Sequence, residues 1–137
     1  MSNIAGVAPP RASKPMTWAG WTFTGMFTAF MVLDVGMKLM RHPMVEKTIA
    51  ELHLPAGSGF GIGVMEALIL ALYLVPRTSV LGAVLVTALM GGTAGVHLVN
   101  GSPLFSHLLF GPYLAFFAWG GLWLRDPGLR AIFPIRR

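Results

Sequence analysis

Residues 59–99 read GFGIGVMEALILALYLVPRTSVLGAVLVTALMGGTAGVHLV. Two apolar runs flank the short break PRT at 76–78, and between them they hold one acid, Glu66, and one histidine, His97. A helix on the surface of a soluble protein keeps a polar face, whereas a bilayer crossing takes about 20 residues that are apolar all round. The first run extends from about Gly59 to Val75 and stops before Pro76; the second extends from about Thr78 to Val99. A proline directly after one run and so short a break predict a helical hairpin set in a membrane.

Working outward, a further span runs from about Met16 to Arg41, framed by Pro15 and Pro43, and another from about Leu104 to Leu124. The composition agrees. Of 137 residues 55% are hydrophobic and 11% charged, with a mean hydropathy of +0.69, well outside soluble usage. The expected fold class is all-α: a polytopic membrane protein with a four-transmembrane-helix up-down bundle, because tight connections make successive helices antiparallel neighbours. The longer connection, PMVEKTIAELHLPAGSG, carries Val45, Ile49 and Leu52 at helical spacing with Glu46, Lys47 and Glu51 elsewhere, which predicts a short amphipathic helix between the first two spans.

Residues 1–15 are expected to form a disordered cytoplasmic N-tail, 16–124 the transmembrane domain, and 125–137 a basic cytoplasmic C-tail. The N-tail has no apolar h-region of its own, so the first span reads as a retained anchor. Arg11, Lys14, Arg77, Arg125, Arg130, Arg136 and Arg137 fall on one side, against Lys38, Arg41 and Lys47 on the other. This imbalance predicts that both termini are cytoplasmic. Trp18, Trp21, Trp119 and Trp123 would line the same interface. The net charge of +5 is carried at segment ends, which suits topology and anionic headgroups, so no nucleic-acid partner is expected. Gly91 and Gly95 have the spacing that lets helices approach closely, either within the bundle or in a homo-oligomer.

The absence of cysteine excludes disulfides, thiol redox chemistry and cysteine-ligated clusters. What remains is a set of ionisable residues that all fall in the outer half of the predicted bundle: Asp34 and Lys38 in the first span, Glu66 in the second, His97 in the third and His107 in the fourth. Charges inside a bilayer are costly, so their convergence at one depth points to a shared site. Helical periodicity puts Phe23, Phe27, Asp34, Lys38 and Arg41 on one stripe, Ile62, Glu66, Leu70 and Tyr73 on a second, and Met90, Thr93 and His97 on a third. Facing inward, these stripes predict a cavity with an aromatic and methionine floor and a charged outer mouth. The structural alternative pairs Asp34 with Lys38 four residues on, pairs Glu66 with Lys38, and lets each histidine donate to a backbone carbonyl. A bundle-type metal site wants paired Glu-x-x-His motifs, and a bis-histidine haem wants a second supporting signature. Neither is present, so no metal and no intrinsic cofactor is expected, and the ligand class left is quinone or another lipophilic molecule.

The run from GVMEALILALYLVPRTS through LRDPGLRAIFP, residues 63–134, together with GMKLM at 36–40, resembles the DoxX-like family of small four-helix membrane proteins. The resemblance rests on the glutamate of the second span, the LYLVPRT turn, the GG and following histidine of the third span, and the LRDP ending. It implies a bacterial inner-membrane protein with relatives tied to quinone-coupled oxidation of sulfur compounds and to membrane redox complexes. Within this chain it points to Lys38, Glu66 and His97, to which the depth argument adds Asp34 and His107. The expectation is therefore a redox-associated membrane subunit with a polar outer-side cavity for quinone or another lipophilic molecule. The alternative is a non-enzymatic accessory or assembly subunit of a larger membrane complex. No catalytic residue is assigned.

Overall fold

The breaks in hydropathy become helix ends in the computed structural model, which describes residues 11–136. Residues 1–10 of the expected N-tail, and Arg137, lie outside the described residues. Among the described residues the elements are α1 (Lys14–Leu39), α2 (Pro43–Glu51), α3 (Ser58–Leu74), α4 (Ser79–Val99), a π-helical turn (Leu104–Leu108), α5 (Phe110–Arg125) and α6 (Pro127–Ile132). No strand occurs among the described residues. Three of the helical segments, Lys14–Leu39, Ser79–Val99 and Leu104–Arg125, are long and apolar enough to cross a membrane; Ser58–Leu74 is equally apolar but shorter, at 17 residues.

The helix ends follow from local chemistry. Ser13 accepts from the Met16 amide at the start of α1, and Pro15 sits in the first turn, where its missing N–H costs nothing. Arg41, expected on the inward stripe, instead adopts a left-handed backbone (φ 52°) just beyond the end of α1, and its guanidinium lies over the Phe60 ring at 5.3 Å. His42 Nδ1 then accepts from the Met44 amide and opens α2, whose Val45 and Ile49 are buried against Gly59. Between α3 and α4, Thr78 Oγ1 donates to the Leu72 carbonyl at 2.8 Å, satisfying an oxygen that the helix end leaves free. The fourth apolar stretch is not a continuous α-helix. After Pro103, the amides of His107 and Leu108 both reach the Pro103 carbonyl, which winds one wide turn before α5 begins.

The LRDP ending is a helix junction. Asp126 Oδ1 accepts from the Gly128 and Leu129 amides, Pro127 takes the first position of α6, and Arg130 reaches back to the carbonyls of Trp123 and Leu124 at 3.0 and 2.9 Å. Residues 127–132 of the expected tail are thus folded, with Leu129 buried in the core.

The four long helices form a closed ring in which α1 packs on α3 and α5, and α4 packs on the same two. The core is built from Phe27 and Met31 of α1, Ile69, Leu70 and Tyr73 of α3, Val86 and Met90 of α4, and Leu114, Ala118 and Leu122 of α5. Phe27 meets Tyr73 edge-on at 4.9 Å. Close approach depends on glycine at particular points: Gly20 faces Gly121 and Gly82 faces Tyr73. Gly91 and Gly95, read from spacing as a packing pair, have no neighbour within 4 Å of where a side chain would start. They lie on the outer side of α4, and the seam inside the bundle is made by other glycines. Their spacing alone could not reveal which side of the helix they occupy.

Tyr73 is fully buried, donates to the Ala118 carbonyl at 2.7 Å and lies 3.4 Å from Thr24 Oγ1, so one hydroxyl links α1, α3 and α5. Tyr73→Phe is expected to cost about 1–2 kcal/mol, because it leaves Thr24 underbonded without changing the packed ring. Unfolding in mixed micelles with increasing denaturing detergent measures it.

Candidate functional site

The turn of α1 that precedes its C-terminus carries Asp34 and Lys38 four residues apart, on the side that meets α3. At this point α3 presents Gly63, whose bare Cα lets the Lys38 stem lie directly against the backbone. One turn further along α3, Glu66 is only 2% exposed. The ammonium of Lys38 donates to Asp34 Oδ2 at 2.6 Å and to Glu66 Oε1 at 2.7 Å. Burial is graded across this cluster: side-chain exposure is 29% at Asp34, 17% at Lys38 and 3% at Glu66. Asp34 is therefore its open edge and Glu66 its closed end. Two carboxylates share one ammonium, and Glu66 Oε2 is buried with no partner among the described residues. Such an orphaned oxygen is costly unless something donates to it.

Sequence depth and periodicity bring Asp34, Lys38 and Glu66 together as expected. His97 and His107 come together too, but with each other: their rings meet edge-to-face at 5.7 Å. His97 Nδ1 pairs with Ser102 Oγ at 3.0 Å and His107 Nδ1 with Ser106 Oγ at 2.7 Å. No hydrogen bond or ion pair joins the histidine pair to the Lys38 cluster among the described residues. The five candidates thus form two groups, and the wide turn at residues 104–108, which the sequence gives no periodic sign of, sets where His107 lies. Sequence reasoning gives no role to Ser102 and Ser106; the available signals are the place of Ser102 within NGSP and of Ser106 directly before His107.

The predicted cavity is corrected by the packing. Its aromatic and methionine floor exists, but Phe27, Met31 and Tyr73 are at most 1% exposed and fill the space beneath the charges as solid core. A groove of about 650 Å³ opens elsewhere, between the α2–α3 connection and the outer side of α4, lined among others by Leu52, His53, Leu54, Gly95, Val99 and Asn100. As for metals, no group of three or more His, Asp or Glu side chains suited to an ion occurs among the described residues.

An all-helical chain with several helices built for a bilayer and an ionic cluster closed between two of them defines a helical membrane protein. It belongs to the DoxX-like family, whose model matches residues 22–121. That span contains all five candidate residues and stops before α6. No curated protein and no solved structure matches the chain significantly.

Proposed function

We propose that the chain is a redox-associated subunit of the bacterial inner membrane, in which the Lys38 cluster gives a proton to a bound quinone or similar lipophilic carbonyl compound as a partner redox protein supplies the electrons that reduce it. The observation that carries the reading is Glu66 Oε2, a buried carboxylate oxygen without a partner in a cluster of two acids and one ammonium. Counted as ionised groups, that cluster is one positive charge short, and in a low-dielectric surrounding a proton or a donor group offsets the deficit. Asp34, the open edge, is where a ligand in the bilayer would meet the cluster, with Lys38 Nζ placed to donate to a carbonyl oxygen.

The same reading takes α3 as a fourth crossing. Its length of about 25 Å suits a thin part of the bilayer. Contacts near helix ends support alternating directions: Gly20 of α1 with Arg125 of α5, Lys38 with Gly63, and Tyr73 with Gly82. Both termini then lie in the cytoplasm with most of the basic residues, and Arg125 stacked 4.2 Å over Trp21 belongs to that interface.

A second reading, an accessory subunit whose polar cluster only sets how α1 packs on α3, is favoured by Lys38 bridging those two helices directly. Titrating decylubiquinone into the purified protein in lipid nanodiscs separates the two. The proposal predicts saturable binding that weakens about tenfold, the equivalent of one hydrogen bond, in Glu66→Gln. Absent binding, or equal binding by the variant, overturns it. Copurification of a larger complex in mild detergent would then support the accessory reading.

A further inference from the structure

The groove beside α4 has a polar end whose hydrogen bonding is determined. Asn100 closes α4, and its side-chain amide donates to the Val96 carbonyl at 2.9 Å and to the Leu52 carbonyl at 3.2 Å. Both amide hydrogens are thereby committed, and the remaining atom, Oδ1, can only accept. It lies 2.9 Å from His53 Nδ1. That nitrogen must be the protonated one, so in the neutral ring Nε2 holds a lone pair. Nε2 has no protein partner among the described residues.

His53 is also held in a left-handed backbone (φ 56°), an uncommon conformation for a residue with a side chain. Asn100 thus pins the Leu52–His53 segment to the end of α4 from two sides, and the exposed His53 side chain forms part of the lining of a mostly apolar groove. Leu52, Leu54, Val96 and Val99 supply the apolar walls, and Gly92 and Gly95 leave the groove open where side chains would fill it. The groove is shallow and broadly open to its surroundings, with about 650 Å³ of space along it.

We propose that this groove is a second binding site, for a lipophilic compound whose head is a hydroxyl donor: the tail lies along the Gly92–Gly95 side of α4 and the hydroxyl donates to His53 Nε2. A carbonyl or ether head offers no proton to that lone pair, so the site selects by donor chemistry. It stands independently of the Lys38 cluster, with which it shares no residue.

The test uses the full chain in nanodiscs with its histidines labelled with nitrogen-15, the His53 signals being assigned by their loss in His53→Ala. The probes are 4-octylphenol and its methyl ether, 4-octylanisole, which have the same tail and differ in the donor. At about pH 8, above the ordinary histidine range, 4-octylphenol is expected to shift the Nε2 resonance saturably, and the ether to bind at least about tenfold more weakly without that shift. Gly95→Leu, which places a side chain in open space and so leaves the bundle intact, is expected to abolish the shift. No shift at saturating phenol, an equal response to the ether, or an undiminished response in Gly95→Leu overturns the proposal.

Discussion

Lys38→Met is expected to destabilise the bundle by about 3–5 kcal/mol, the range for removing one partner of a buried ion pair. Its ammonium is the shared donor of both acids, so its loss strands Glu66 at 2% exposure and deprives Asp34 as well. The acids are not equivalent. Asp34 is the more exposed partner, and Asp34→Asn should cost about 1 kcal/mol or less, since Lys38 retains Glu66. Joining Lys38→Met with Glu66→Leu should recover most of the loss, because a matched apolar pair carries no desolvation penalty. Denaturing-detergent titrations of the parent and the three variants measure this. A Lys38→Met protein as stable as the parent would mean that the cluster is solvated and does not link α1 to α3.

The second large effect is expected at Gly82. A side-chain carbon there would run into the Cα and amide nitrogen of Tyr73, which are backbone atoms and cannot turn aside. Gly82→Ala must therefore push α4 away from α3 at the level of the Tyr73 hydroxyl network, at a cost of about 3 kcal/mol or more. Gly91→Ala and Gly95→Ala meet open space, and the gain in helix propensity should leave stability unchanged or raised by up to about 1 kcal/mol. The same titration compares all three. Equal losses at the three positions would contradict the placement of the seam.

The hairpin at 59–99 was legible because Pro76, Thr78 and the unbroken apolarity act locally, and local signals survive in any tertiary setting. Lys38 and Glu66 could be joined from sequence because each lies on a helical stripe and at a common depth, two coordinates that suffice when helices are straight. The fourth span is not straight. The wide turn after Pro103 shifts the register of the fourth span, and no periodic count across residues 104–124 could reveal it. Gly91 and Gly95 show the limit of spacing motifs: the separation is right for close packing, but which side of α4 faces a neighbour depends on helices elsewhere in the chain. Likewise, the Asn100 clamp on Leu52 and His53 joins residues some 47 positions apart, and neither loop contained a pattern to connect them. The resemblance to the DoxX-like family rested on the glutamate, the LYLVPRT turn and the LRDP ending; the structure explains the last of these as the cap and first turn of α6.

The proton proposed to pass between Glu66 and a bound lipophilic carbonyl compound on its reduction can be read directly by infrared difference spectroscopy. The bound ligand, decylubiquinone, would be reduced electrochemically in nanodiscs and the carboxyl C=O stretching region recorded before and after. Expected is a carboxyl band that changes on reduction, shifts in heavy water, and is missing from Glu66→Gln while persisting in Asp34→Asn. A spectrum with no carboxyl change, or one whose carboxyl band is the same in Glu66→Gln, would contradict it.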